Sequence, residues 1–464
     1  MIIRSIMPMK KRKKFVKIIK RKIPWIQHVL DDVRNALDLN LTESDLKVKV
    51  PSRSLCIYCR GTKKLCGKSR CPVIMKMYSY LKIKPLINSL ELVGYSPPAV
   101  FVGRYGYPKV YAGPLVPPVI GDTHIYDYPE KWLNMNIDQI VDMRLKLIRG
   151  KFLVNVKKFE EAGKLMNITL ELALSANSVE ADATFKKKPT KAIVLDDQIQ
   201  PMGPSAPLKK LEISNPKWDK KLEKAFYDYD LKASEAILQL HKSGVPVSKI
   251  QRAFSVGAFG LRRLRRLVPT RWSITAVDSI ISREIRDEIV KRSPIINEYR
   301  VYEANMLGNR FIVLLMPEAW SYELIEAWYP GSAWNPNRKY IAIGGDWEGY
   351  AGRTTYAKIG GCYYAARLAV TEYLSREGRQ ASVLVLREAY PDYILPLGVW
   401  SVRESVRSAL ENKPVKFDTL EEALKHISTR LRISMKYWIE TSELLKNALI
   451  QKKITSYLKS RKAT

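Results

Sequence analysis

NEYRVYEAN (297–305), RFIVLLM (310–316), KYIAIGG (339–345) and ASVLVLRE (381–388) are runs in which β-branched, aromatic and aliphatic residues crowd together. Such residues pack well on a pleated surface, and bounded runs of roughly four to eight read as strands. Gly360 and Gly361 open one helix between the third and fourth, so the segment predicts a mixed sheet. Helices at Val402 to Leu410 and, behind a capping box of Thr419 and Glu422, on through Lys446 complete this half.

Upstream the pattern is less regular. Residues 96–129, SPPAVFVGRYGYPKVYAGPLVPPVIGDTHIYDYP, suggest short strands near Phe101 and Val110 joined by tight turns. From Trp132 to Arg149 the apolar residues Ile137, Ile140, Val141, Leu145 and Ile148 keep a helical period, with Gly150 as the stop. Between Ser175 and Asn215 we read one strand followed by an ordered loop, and from Pro216 to Lys242 a long helical region. Ala233 to Leu267 has the rhythm helix, Gly244 turn, helix, Gly257 turn, basic helix, ending in LRRLRR. A helix-turn-helix reader has that rhythm, and Arg262, Arg263, Arg265 and Arg266 would then meet phosphates. A helical hairpin with a solvated basic face is the preferred reading, because Gly257 and Gly260 fall where a recognition helix should be stiff.

Near the N-terminal end lies CIYCRGTKKLCGKSRCP (56–72). Cys56, Cys59, Cys66 and Cys71 offer four soft ligands on turns, and the C-x2-C step presents two sulfurs to one ion, so structural zinc is expected. The remaining spacing departs from a second C-x2-C knuckle and points to a compact treble of turns. Two disulfides or four buried thiols are the other readings; the absence of a secretory leader pattern, with Cys362 as the fifth cysteine, weighs toward the metal. Gly61 and Gly67 supply turn freedom, and Arg60, Lys63, Lys64, Lys68 and Arg70 make the module cationic. The expected class is therefore α+β, with two mixed domains, the small four-cysteine zinc module and a C-terminal mixed sheet with flanking helices. The boundaries read as a basic arm (1–24), a helix plus zinc module (25–95), α+β domains at 96–295 and 296–446, and a tail (447–464).

The formal charge of +33 over 464 residues exceeds what solubility requires and makes a polyanion, foremost nucleic acid, the expected partner. Arg4 through Lys22 reads as an arm that neutralises phosphates without reading sequence, or as a solvated tail or an extension ahead of Met9. Apolar runs are too short to span a bilayer, and no membrane role and a cytosolic location are expected.

The tail QKKITSYLKSRKAT (451–464) matches the box by which proteins dock on the sliding clamp, PCNA. One helical turn would place Ile454, Tyr457 and Leu458 as an apolar plug, with the Gln451 amide bonding beside it. Leu458 stands where a second aromatic is usual, which should weaken docking.

Catalytic signals are sparse. No phosphate-binding GxxxxGK[ST] loop occurs, and the four histidines, His28, His124, His241 and His426, are scattered. Acids in GDTHIYDYPE (Asp122, Asp127, Glu130) and in GGDWEGYAGRTTYAK (Asp346, Glu348, near Arg353 and Lys358) are the candidates left. Paired acids beside a cation can hold magnesium for phosphoryl transfer, although most such pairs are salt-bridged. The same region carries Trp328, Trp334, Tyr340, Trp347, Tyr350, Tyr356, Tyr363 and Tyr364 among Arg338, Lys339, Arg353, Lys358 and Arg367, a stacking platform for bases if exposed, of which strand alternation should bury about half.

The cysteine run, FVGRYGYPKVYAGPLVPP (101–118), GDTHIYDYPEKW (121–132), PMGPSAP (201–207), LVPTRWSITAVDS (267–279), GGDWEGYAGRTTYAKIGGCYYAARLAV (344–370) and LREAYPDYILPLGVWSVRE (386–404) together resemble the archaeal Nre family. The resemblance covers nearly all of the chain after residue 50. It implies DNA damage repair in an archaeal cytosol, a four-cysteine zinc element at Cys56, Cys59, Cys66 and Cys71, and a clamp-binding box at Gln451 to Leu458. It carries over no catalytic residue. The expected function is a DNA-binding repair factor recruited by the clamp; a magnesium-dependent nuclease and an RNA-binding protein are the alternatives.

Overall fold

The computed structural model describes residues 56–190, 193–194, 201–335 and 339–450, together with two short strand segments at 17–18 and 48–50. The expected clamp box lies outside the described residues, as does the expected basic arm apart from 17–18. Two six-stranded mixed sheets organise the chain, and the segments at 17–18, 48–50 and 193–194 form a small third one.

The first large sheet contains β1 (Glu91–Ser96), β2 (Val100–Val102), β3 (Lys109–Val116), β4 (Ile148–Asn155), β5 (Val179–Phe185) and β6 (Ser205–Ile213), in the order β1-β5-β6-β4-β3-β2. Only β4 and β6 run parallel. Burial alternates along β1 and β5, because one face is covered and the other meets solvent. Val116, Ile148, Ala181, Phe185 and Leu208 point to the covered face and pack on the Pro72–Ile83 and Lys164–Leu174 helices through Met77, Leu81, Ile168 and Leu172. Gly113 and Gly150 let neighbouring strands approach: a β-carbon on Gly113 would stand 1.9 Å from the Gly150 carbonyl oxygen.

The second sheet contains β7 (Tyr299–Met306), β8 (Asn309–Met316), β9 (Ser321–Trp328), β10 (Ala342–Glu348), β11 (Ser382–Ala389) and β12 (Val415–Phe417), in the order β10-β9-β11-β8-β7-β12. Its parallel pair is β9 with β11. Here both faces are covered, so all eight residues of β11 are buried and its sequence reads as an unbroken apolar run up to Arg387. One face, through Val313, Tyr322 and Val385, joins a core that includes the helices Val247–Ser255, Thr270–Glu288, Gly361–Glu377 and Trp400–Glu411 and reaches back to Val100 and Val110 of the first sheet. The other face, through Ile312, Leu314 and Leu384, packs on Leu424, Ile427, Trp438 and Leu445 of the last helices. Glu323 of β9 caps one of these, accepting from the Glu443 and Leu444 backbone N–H groups at 3.0 and 3.1 Å.

Several expectations change. The helix from Trp132 is confined to Ile137–Lys146, capped by Asn136 with Gln139, and residues 148–155 are strand β4, with Gly150 inside it. The stretch 175–215 holds the two long strands β5 and β6, where one strand and a loop were expected. The long helical region after Pro216 is two helices, Lys220–Tyr227 and Ala233–Lys242. The basic helix after Gly257 is absent, replaced by a short 3-10 turn at Arg262–Leu264, so the helix-turn-helix geometry is not formed. The capping box at Thr419 and Glu422 is present, but its helix ends at Arg430 and two more helices follow.

Candidate nucleic-acid interface

The cysteine segment begins with one helical turn, Cys56–Cys59, and then reverses through Arg60, Gly61, Lys64 and Gly67, all at positive φ. The Leu65 backbone N–H donates to the Cys59 sulfur at 3.3 Å. Cys71 precedes the helix that starts at Pro72; burial raises its pKa, the Ile74 and Val73 N–H groups oppose that, and Cys66 and Cys59 nearby raise it further. Free thiols receiving backbone N–H bonds on tight turns are a donor set of the kind zinc takes. Among the described residues, however, no three or more His, Cys, Asp or Glu side chains are gathered closely enough to hold a metal ion.

Of the cations predicted here, Arg60, Lys63 and Lys64 are exposed. Arg70 is exposed and paired with Asp138 at 2.7 Å. Lys68 is a correction: it is 1% exposed, and its ammonium donates to the Gly331 carbonyl at 3.2 Å, where no phosphate reaches it. Arg262, Arg263 and Arg266 are exposed, and Arg262 lies over the Tyr229 ring. Arg265 is a second correction, since its buried guanidinium donates to the Gly260 and Asp228 carbonyls.

The acids are engaged within the fold. Glu348 has no side-chain exposure and accepts from Arg286 at 2.9 Å and Arg367 at 2.6 Å. Asp346 accepts from Arg353 at 2.9 Å, from the Lys358 backbone N–H at 2.6 Å and from the Trp347 N–H. Burial alone would raise the Asp346 pKa, but these bonds bring it below its ordinary value. Lys358 itself projects to solvent. Glu348 so occupied holds β10 to the helices behind it, Asp346 holds it to the loop that follows, and Arg353 is a tie in that loop rather than a free cation. Upstream, Asp127 pairs with Arg252 at 2.7 Å, Glu130 accepts from the Ser248 N–H and hydroxyl, and Asp122 from the His124 N–H and Ser178 hydroxyl.

The aromatic segment divides by element rather than by strand alternation, since Tyr363 and Tyr364 lie on the Gly361–Glu377 helix and Tyr340, Tyr350 and Tyr356 lie in loops. Tyr363 and Tyr364 are buried, as is Arg367, whereas Trp334, Tyr340, Trp347, Tyr350 and Tyr356 are exposed. Trp328 sits under the Arg387 guanidinium at 4.5 Å. A further exposed group escaped the sequence reading: Tyr111 and Leu153 on the solvent face of the first sheet, and Trp272 tilted against Tyr107 with ring centroids 5.7 Å apart. The available signal was the alternation of Lys109 and Tyr111 with Val110 and Ala112.

Fold and surface thus define a strongly basic α+β protein whose candidate acids are engaged within the fold and which exposes several aromatic rings. The family model described as archaeal Nre, N-terminal, matches residues 65–335, and the one described as archaeal Nre, C-terminal, matches residues 348–457. The DNA repair protein NreB of Archaeoglobus fulgidus is 43% identical over 84% of this chain and 97% of its own length. The DNA repair proteins NreA of the same organism and of Haloferax volcanii are 40% and 35% identical, over 81% and 76% of this chain and 93% and 86% of their own. No solved structure matches. The chain belongs to the archaeal Nre family, as its motifs implied. No helix among the described residues is long and apolar enough to cross a membrane.

Proposed function

We propose that this protein is a cytoplasmic DNA repair factor that binds nucleic acid through a basic surface and is brought to its substrate by the sliding clamp. The observation that carries the reading is the identity of 43% to a named DNA repair protein along nearly that relative's whole length. The charge of +33 supports a polyphosphate partner, since counterion release from a phosphate backbone drives such binding.

Zinc on Cys56, Cys59, Cys66 and Cys71 would fix the turn-rich segment from which Arg60, Lys63 and Lys64 project. Such binding contributes on the order of 10 kcal/mol to folding. The tail from Gln451 to Leu458 would dock on the clamp as one helical turn. The test is genetic: a strain lacking the gene should survive DNA damage poorly and be rescued by the intact gene. Wild-type survival of the deletion strain across alkylation, crosslinks and ultraviolet light would contradict the reading.

A further inference from the structure

The solvent face of the first sheet differs between its two halves. On the β1 and β5 side it bears Glu91, Glu180 and Asp182 beside Val93, an ordinary mixed surface. On the β2-β3-β4 side, by contrast, the outward positions are Phe101, Lys109, Tyr111, Arg149, Lys151 and Leu153. The register groups them: Tyr111 lies opposite Leu153, Lys109 opposite Asn155, and Phe101 opposite Gly113, two positions along β3 from Tyr111. Tyr111 is 53% exposed and Leu153 57% exposed.

The cations are stacked on the rings. Lys151 Nζ stands 5.8 Å from the Tyr111 centroid, and the Arg149 guanidinium 5.8 Å from that of Phe101. No carboxylate answers them: among the described residues Lys109, Arg149 and Lys151 form no ion pair, and Arg149 Nε is buried without a hydrogen-bond partner. Burial and nearby Arg144 work against the Arg149 charge, and burial and Arg149 against that of Lys151. Among the described residues these like charges on a half-dry surface face no anion. At the β2 edge the hairpin adds Arg104 and Tyr105, the latter 81% exposed.

We propose that the β2-β3-β4 face is a platform for single-stranded DNA, with bases stacking on Tyr111 and Phe101 and phosphates meeting Lys109, Arg149 and Lys151. Rings set beside cations take any base on a free π-face, while a duplex hides its bases and would find only the charges. The assignment rests on the nucleic-acid reading above and deepens it by naming strand type and surface.

The test uses the full chain and a labelled oligodeoxythymidine strand, its duplex and its RNA counterpart, read by fluorescence anisotropy. Tyr111→Ala, at a half-exposed position, should weaken strand binding about tenfold and leave duplex binding nearly unchanged. Lys151→Gln should lower the salt slope by roughly 0.7. Tyr437→Ala, an exposed ring on a distant helix, should change neither. Strand binding that survives both Tyr111→Ala and Lys151→Gln would overturn the platform while leaving the nucleic-acid reading intact. A chain that holds no polynucleotide at low salt would remove both, and a preference for RNA above about tenfold would refute the assignment to DNA.

Discussion

Gly67 and Gly331 meet backbone to backbone: a β-carbon on Gly331 would stand 2.4 Å from the Gly67 carbonyl oxygen, and both residues have positive φ. With the Lys68 ammonium bonded to the Gly331 carbonyl, this contact seats the cysteine segment against the loop that follows β9. Gly331→Ala should therefore destabilise the protein by about 2–4 kcal/mol through backbone strain and lost contact. Chemical denaturation checks this; an unchanged midpoint would show that the segment is not held here.

Metal content follows from the proposed zinc site. Purified protein should carry about one zinc per chain, measured by atomic emission, and Cys59→Ser should lose it. Full zinc in a variant lacking both Cys59 and Cys71 would place the metal elsewhere.

Glu348 lies between Arg286 and Arg367 with no exposed side-chain area. Glu348→Gln leaves the buried Arg367 guanidinium without its carboxylate, while Arg286 keeps Asp287, and should cost about 3–5 kcal/mol in urea unfolding. A variant that unfolds like the wild type would return Glu348 to the list of functional acids.

Acid sensitivity has a local source in Glu372. Burial would raise its pKa, but the hydrogen bond with His241 and the Arg407 guanidinium bring it down to about 2. A depressed carboxylate contributes stability that is full above its unfolded pKa near 4.5 and is lost as pH falls toward 2. The wild type should exceed Glu372→Gln by on the order of 3 kcal/mol at neutral pH, and the gap should close between about pH 5 and 2. A gap independent of pH would assign the effect to packing.

How far these features were legible in the sequence depended on range. Four strands of the second sheet were readable, β8 and β11 because strands covered on both faces become unbroken apolar runs, whereas β9, interrupted by Glu323 and Glu326, and the short β12 were not. Strand β4 was hidden, since Ile140, Val141, Leu145 and Ile148 keep a helical period across a boundary set by pairing with β3. The family was legible from long motifs, yet the fate of single charges was not. Lys68 looks like any surface lysine until Gly331 is placed above it, and Glu348 looks like a catalytic acid until Arg286, far away in the chain, reaches it.

Clamp docking is separable from DNA binding. Tyr457→Ala should abolish retention on immobilised clamp and leave strand affinity unchanged, because the proposed plug and the proposed platform use different residues. Retention unaffected by Tyr457→Ala together with Ile454→Ala would contradict the docking box.

The most direct measurement is the affinity of the intact protein for single-stranded, duplex and forked DNA across a salt titration. The account predicts binding whose logarithm falls linearly with the logarithm of salt, with a slope of several units, and tightest for ligands with an unpaired strand. Affinity that is absent at low salt, or indifferent to salt, would contradict it.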